Sequence, residues 1–492
     1  MDFSLLTRSY DLRGVYGVDI DDDFFYRLGY AFAKVTEQKR IALGYDARIS
    51  SPMLQKAFID WANLAGATII DIGMCSSDML SFATCHYDDI GAGVMITASH
   101  NPKQYNGMKS LSHTWEPYNL KKYGPAMVEI MQSLSSPWEE LTMRNEVTTE
   151  GFSGINKSST HLNNAQHIEH STLVWDILWI IEHRNVLSDW IDQILRFTPS
   201  GADFSKYSIV ADWGNGVAGI FMSALAQKAW LHLIPLFLDP DGNFPNHHPN
   251  PMLEKNRADA RLALLEHHAD VAFIFDGDAD RVILLDETGE QINSAIVSTI
   301  IAESLLQDHP RAAFIGNAVT SHNFRDFILA HGARYVREKV GHVYIRETMM
   351  LDPDIVFAWE HSAHYFFREN YFMDSGIVAA MVFLDLLARS GKRASEFIAS
   401  YRQYITLEES NFEVKNPKWA IEKLTQIYAG EQYDLFDGIT VEYADGSWWN
   451  FRPSSNEPLL RLNMEAKTQD RFDTLYSEIM THIQAFGSSS EK

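Results

Sequence analysis

Three aspartates spaced two apart, Asp276, Asp278 and Asp280, follow the apolar run Val271 to Phe275. Carboxylates this close repel one another, and a hard divalent cation removes the penalty; three of them with a phosphate oxygen suit Mg²⁺. A solvated acidic turn would leave unexplained why the charges directly follow a buried-type strand. Asp276, Asp278, Asp280 and Glu287 also match positions one, three, five and twelve of an EF-hand loop. Arg281, however, stands where that loop needs glycine, and both flanks read as strands. Upstream, Gly93-Val-Met-Ile-Thr-Ala-Ser-His-Asn-Pro102 is another apolar strand that ends abruptly in small and polar residues. It puts Ser99 and His100 just past a strand carboxyl end, where ligands bind in α/β sheets. A serine there can be a nucleophile or a phosphate carrier, with His100 and backbone N–H groups as donors; an ordinary ST-turn is the bland alternative.

Two further segments carry weaker chemistry. In Val356-Phe-Ala-Trp-Glu-His-Ser-Ala-His364, the residues Glu360, Ser362 and His364 alternate and would face one way in an extended chain. The first two suit sugar hydroxyls, and the imidazole suits a general base. A structural histidine accounts for this stretch equally well. In Phe451-Arg-Pro-Ser-Ser-Asn-Glu-Pro458, the guanidinium of Arg452 with Ser454, Ser455 and Asn456 would cradle a phosphate, and a polar β-turn is the alternative. Tyr10, Arg13, Lys109, Gly341 and His342 carry no signal individually.

The elements that must hold these residues read as repeated βα units. Strands are expected at Ile41–Gly44, Ala67–Ile72 and Gly93–Ile96, then at Ser208–Ala211, His232–Phe237 and Val271–Phe275, and again at Val282–Leu285, Ala312–Ile315 and Ile355–Ala358, with helices between. The fold class is α/β: three tandem similar domains with mixed sheets, at 1–168, 169–288 and 289–405, and a smaller α+β domain at 406–492. A polar stretch at 144–170, rich in Ser, Asn, Thr and His, reads as a linker or insertion.

Composition narrows the function. At roughly 100 to 200 residues per domain, 492 residues make several units. With 41 basic and 65 acidic residues, the net charge of −24 disfavours nucleic acid and anionic membranes as partners. Cys75 and Cys85 cannot form a disulfide framework or a zinc site, which fits a reducing, cytoplasmic setting. The longest apolar stretch, Ile377 to Leu384, is far short of the roughly 20 residues a membrane span needs.

Taken in order, Tyr10-Asp-Leu-Arg-Gly, Thr97-Ala-Ser-His-Asn-Pro, Asp276-Gly-Asp-Ala-Asp-Arg, Glu360-His-Ser-Ala-His and Arg452-Pro-Ser-Ser-Asn-Glu-Pro resemble the α-D-phosphohexomutases. Asp241-Gly-Asn-Phe-Pro-Asn-His-His-Pro and Tyr371-Phe-Met-Asp-Ser-Gly place the likeness among the bacterial phosphomannomutases and bifunctional phosphomannomutase/phosphoglucomutases. The resemblance implies four domains around a central cleft and an enzyme that moves a phosphoryl group between O6 and O1 of a hexose through a 1,6-bisphosphate. It implies a phosphoserine at Ser99, which also contributes to the metal site, and Mg²⁺ on Asp276, Asp278 and Asp280. His100, Lys109 and Arg281 would neutralise charge, and His364 would accept a proton. Glu360 and Ser362 would hold the sugar, Arg452, Ser454, Ser455 and Asn456 its phosphate, and Tyr10, Arg13, Gly341 and His342 would line the cleft. The expected partner is a small phosphosugar, and the expected state a monomer or weak homo-oligomer. Two departures stand out: Val340 replaces a common Thr, and the phosphate loop has Pro453 and Ser455 where Arg-x-Ser-Asn-Thr-Glu is usual. Rival readings are a phosphatase with Asp276 as nucleophile and a non-catalytic sugar-phosphate-binding protein.

Overall fold

The computed structural model describes residues 2–134, 181–199, 201–414, 416–453, 459–486 and 489–490. The polar stretch 144–170 lies outside the described residues, as do Ser454, Ser455 and Asn456. Four sheets organise the rest. The first holds β1 (Leu12–Val15), β2 (Arg40–Tyr45), β3 (Thr68–Met74), β4 (Ala92–Ile96), β5 (Tyr105–Ser112) and β6 (Ile181–His183). The second holds β7 (Ser208–Asp212), β8 (His232–Leu236), β9 (Val271–Phe275), β10 (Val282–Asp286) and β11 (Gln291–Ile292). The third holds β12 (Ala313–Asn317), β13 (Arg334–Glu338), β14 (Ile355–Glu360), β15 (His364–Phe367) and β16 (Met373–Asp374). β6 and β11 join their sheets from beyond residues 168 and 288, so sheet edges and the expected divisions do not coincide.

One pattern is built three times. β2 pairs in parallel with β3 and β4, and β4 then pairs antiparallel with β5. β7, β8, β9 and β10 repeat this, as do β12, β13, β14 and β15. Parallel neighbours need crossovers, and helices Ser51–Leu64, Ala218–Ala229 and His322–Ala330 supply them after the first strand of each set. The short loop between third and fourth strands therefore recurs in each sheet. It carries Ser99 in the first, Asp276 to Arg281 in the second and the Glu360 to His364 turn in the third.

The helix Asp22–Thr36 shows how local chemistry fixes an element. Asp21 accepts from the Phe24 N–H at 2.9 Å, Asp22 and Asp23 lie in the first turn and Lys34 in the last, all favourable to the helix dipole. It buries Phe24, Phe25, Leu28 and Phe32 against Ser51–Leu64. Gly29 permits that approach, because a Cβ there would stand 2.3 Å from the Phe58 carbonyl oxygen.

The fourth sheet is antiparallel, with β17 (Ile405–Glu413), β18 (Gln432–Asp434), β19 (Ile439–Glu442), β20 (Trp448–Pro453), β21 (Leu459–Ala466) and β22 (Ser489–Ser490), packed with helices Pro417–Ile427 and Gln469–Ala485. Three α/β units and one α+β unit are the expected class. The first three share one continuous apolar core that includes Met79, Trp190, Phe273, Phe314 and Phe383, whereas the fourth has its own around Trp449, Phe451 and Leu475. The fourth joins the third through polar contacts: Arg337 to Asp434 at 2.6 Å, the His322 N–H to Glu465 at 2.9 Å and the Val340 N–H to Asp437 at 3.0 Å. A polar interface separates at lower cost than a shared core, so the fourth unit is built as a cap. Among the described residues, no helix is long and apolar enough to cross a membrane.

Candidate active site

The loop after β4 turns sharply, and Ser99 takes a left-handed backbone conformation with φ 49°. Ala279 (φ 61°) and Ala363 (φ 65°) do the same in the equivalent loops of the other two sheets. Non-glycine residues adopt this conformation at about 1–2 kcal/mol each, so surrounding contacts must hold them there. At Ser99 those contacts are explicit. Its N–H donates to Thr97 Oγ1 at 2.8 Å, and Thr97 in turn donates to Asp46 Oδ2 at 2.8 Å. The fully buried Arg48 donates to the carbonyls of Ser99 (2.8 Å), Asn101 (2.7 Å), Pro102 (2.8 Å) and Tyr105 (3.1 Å), and its Nε donates to Asp46 at 3.0 Å.

This clamp yields a test. Arg48→Met leaves Asp46 buried without its counter-charge, a change that costs roughly 3–5 kcal/mol, and releases four carbonyls at once. The expected result is an earlier first thermal transition and turnover lowered about tenfold, which is a loss of about 1.4 kcal/mol in the barrier. Arg48→Lys, which keeps charge but lacks the planar fork, should fall between. Calorimetry and turnover on the same samples check this, and a folded Arg48→Met protein with parental turnover would show that the loop keeps its shape unaided.

Ser99 Oγ donates to Asp276 Oδ2 at 3.0 Å, bringing the first and second loops together. Gly277 permits it, since a Cβ there would stand 2.8 Å from the Ser99 carbonyl oxygen. Ser77 adds a bond from the first unit, donating to Asp278 Oδ2 at 2.6 Å. Lys109, on β5, reaches Asp278 at 2.7 Å and Asp280 at 2.5 Å, while Arg281 Nε lies 3.4 Å from Asp276. Burial disfavours the Lys109 ammonium, but Asp278 and Asp280 outweigh it and hold its pKa above the ordinary lysine value.

The three aspartates are buried and each offers an oxygen within 4.8 Å of the others. Among the described residues, Oδ1 of Asp278 and Oδ1 of Asp280 are buried with no hydrogen-bond partner. Burial, then repulsion from Asp280 and Asp278, pushes Asp276 well above the usual carboxylate range. Burial also acts on Asp280, but Lys109 and Arg281 overcome it and bring that group down to about 2. Converging oxygens, partly unsatisfied and too close to ionise together at low cost, suit a hard divalent cation.

His100 and Arg281 meet beside Ser99 in a direct side-chain contact. Burial, then Arg281, holds His100 well below the ordinary histidine value. Its charged form is therefore disfavoured, and Arg281 and Lys109 bring positive charge near Ser99.

The third loop corrects an expectation. Glu360, Ser362 and His364 do not share a face of an extended strand, because β14 turns after Glu360 and pairs it with His364 across the turn. They converge nonetheless: Ser362 Oγ is 2.9 Å from His364 Nδ1, which is 3.8 Å from Glu360 Oε2. His364 Nε2 lies 3.7 Å from Asp280 and 3.8 Å from Asp374, joining this loop to the acidic trio. Burial, then Arg281 and Lys109, keeps His364 neutral by lowering its pKa well below the ordinary value. Glu360 Oε1 also accepts from the Gly341 N–H at 2.9 Å, where φ 136° demands glycine. Tyr10 stands edge-on to His342 at 4.7 Å, and Arg13 donates to the Thr97 carbonyl at 3.1 Å. Arg452 is held by Glu409 at 3.0 Å in the cap.

Sequence reading misses Arg48, Asp46, Ser77, Asp374 and Glu409. Asp46 and Arg48 follow the carboxyl end of β2, the same signal that marks Ser99, and Asp374 lies within the Tyr371-Phe-Met-Asp-Ser-Gly segment.

Comparison with known proteins identifies the family. Models of the phosphoglucomutase/phosphomannomutase alpha/beta/alpha domains I, II and III match residues 4–120, 188–289 and 293–404, and that of the C-terminal domain matches 409–482. The chain is 31% identical over 464 residues to the phosphohexose mutases of Xanthomonas campestris pv. campestris and 30% identical over 469 residues to the phosphomannomutase of Escherichia coli K12, covering 94% of both chains in each case. A crystal structure of a phosphoglucomutase/phosphomannomutase family protein from Burkholderia thailandensis superposes with TM-score 0.79 at 24% identity, covering 100% of this chain and 99% of that one. The chain belongs to the phosphoglucomutase/phosphomannomutase family and is a phosphohexomutase, an isomerase.

Proposed function

We propose that the protein interconverts mannose 6-phosphate and mannose 1-phosphate, and glucose 6-phosphate and glucose 1-phosphate in the same cleft, through a phosphoserine at Ser99. The observation that carries this is the meeting of a buried serine hydroxyl, an acidic trio and two fixed cations at one point. In the first half-reaction the free O1 of a hexose 6-phosphate attacks phosphorus on Ser99 and the phosphorus–Oγ bond breaks. The proton of the attacking hydroxyl leaves to His364, which meets it unprotonated because burial, Arg281 and Lys109 disfavour the charged imidazole. The resulting 1,6-bisphosphate turns end for end, and Ser99 Oγ takes back the phosphoryl group from O6 to leave hexose 1-phosphate. Arg281 and Lys109 balance charge on the moving group. Mg²⁺ bound by Asp276, Asp278, Asp280 and the Ser99 phosphoryl would supply Lewis-acid stabilisation of that charge. Glu360 and Ser362 hold sugar hydroxyls. Tyr10, Arg13, Gly341 and His342 line the cleft, and Arg452, Ser454, Ser455 and Asn456 take the distal phosphate.

Aspartate attack by Asp276 is disfavoured, since that carboxyl is buried and accepts a hydrogen bond from Ser99. The test is incubation with Mg²⁺, mannose or glucose 6-phosphate and catalytic hexose 1,6-bisphosphate. Hexose 1-phosphate should accumulate to equilibrium, whereas release of inorganic phosphate alone would assign the protein to phosphatase chemistry.

A further inference from the structure

The cap meets the third unit through a carboxylate whose surroundings are unusual. Glu409 on β17 accepts from Arg452 Nη2 on β20 and from Arg461 Nη1 on β21, each at 3.0 Å. Its Oε2 also lies 3.2 Å from Nε2 of His361, the residue between Glu360 and Ser362. The cluster is largely withdrawn from water, with the side chains of Arg452 and Glu409 only 10% and 18% exposed. Burial opposes the charge on Glu409, but His361, Arg452 and Arg461 outweigh it and hold the carboxyl below its usual range.

Two guanidinium groups against one carboxylate leave a positive charge uncompensated within the cluster. Among the described residues, Nε of Arg452 and Nε of Arg461 are moreover buried without a hydrogen-bond partner. Buried donors left unpaired beside excess positive charge point to an anion that completes the set.

We propose that Glu409 is a positioning residue for phosphate capture: it clamps one edge of Arg452, leaving Nε for an oxyanion, and through His361 ties that anion site to the sugar-binding loop. Phosphate seated in the cap and sugar seated on Glu360 and Ser362 thereby stabilise one arrangement of cap and third unit. This rests on the mutase reading, which makes the anion the phosphate of a hexose phosphate.

The experiment compares Glu409→Gln, His361→Asn and the double variant with the parent, measuring kcat, KM for hexose 6-phosphate and inhibition by inorganic phosphate. Each single change should raise KM and the phosphate inhibition constant about tenfold while kcat moves less than about twofold, because the chemistry at Ser99 is untouched. The double variant should be no worse than the worse single one, since both break the same link. Unchanged KM and phosphate inhibition in Glu409→Gln, tighter phosphate binding, or losses that multiply in the double variant would each overturn the proposal. If Glu409→Gln does not fold, His361→Asn, which leaves the arginine pair intact, decides the matter by the same readouts. A parent without mutase turnover would instead sink the underlying reading, and titration of inorganic phosphate into parent and variants would still test the clamp.

Discussion

Replacing Ser99 by alanine is expected to cut mutase turnover by roughly 10³-fold or more, a loss of about 4 kcal/mol in the barrier. The hydroxyl is the only part removed. Its backbone restraint survives, because the N–H still bonds Thr97 and Arg48 still holds the carbonyl. Alanine also tolerates the left-handed conformation required here, as Ala279 and Ala363 do in the equivalent loops. The lost Ser99 to Asp276 hydrogen bond is worth about 1 kcal/mol, so thermal unfolding should shift only slightly. Activity and fold therefore separate in this variant. Intact mass measurement after incubation with hexose 1,6-bisphosphate should give a one-phosphoryl increment in the parent and none in Ser99→Ala. Parental turnover in the alanine protein would remove the phosphoserine route altogether.

Which features the sequence discloses follows from what each loop does. β4, β9 and β14 are apolar runs ending in clustered polar residues, and that abrupt change marks their loops without an alignment. Lys109 is silent for the opposite reason. Its strand, Tyr-Asn-Gly-Met-Lys-Ser-Leu-Ser, mixes polar and apolar residues because one side faces charged groups. Asn106 is fully buried yet bonded to Ser50 and Ser51, and Gly107 sits where a Cβ would stand 1.9 Å from the Leu12 carbonyl oxygen. Hydropathy patterning looks for water on the polar side, and here that side meets protein. Alternation at Glu360, Ser362 and His364 misleads because a left-handed Ala363 closes a turn no local propensity announces. Arg48 is marked by its place after β2 but not by its role, and Glu409 by neither: each is a common surface type, and only the tertiary fold shows that one grips four carbonyls and the other two guanidinium groups.

The threefold repetition explains why the site assembles. Three equivalent loops, each leaving a third parallel strand, contribute the Ser99 hydroxyl, the three aspartates and the Glu360 to His364 turn. Cross-links run between them, from Ser99 to Asp276 and from Asp280 to His364, and Ser77 elsewhere in the first unit adds a bond to Asp278. The shared apolar core beneath fixes these three loops relative to one another, whereas Arg452 sits on a cap attached by polar contacts. The proposed route through a bisphosphate that turns around without escaping would use this division, with rigid chemistry on one side and a separable anion site on the other.

Divalent cation is expected to stabilise the three-unit body as well as support turnover. Binding to the native state alone raises stability by about 2.7 kcal/mol at a hundred times Kd, so the first thermal transition should rise with Mg²⁺ and return to its starting point with EDTA. Asp276→Asn isolates the cause. With no cation present, burial and the neighbouring aspartates keep Asp276 well above the usual carboxylate range, so a neutral amide of nearly the same shape replaces a carboxyl that resists ionising anyway. The amide oxygen can still accept from Ser99. The variant's transition without cation should therefore lie close to the parent's, while its upward shift with Mg²⁺ is lost and turnover falls about a hundredfold or more. A parental shift in Asp276→Asn would place the stabilising cation elsewhere, and full turnover of the parent after exhaustive chelation would detach the acidic trio from metal-assisted chemistry.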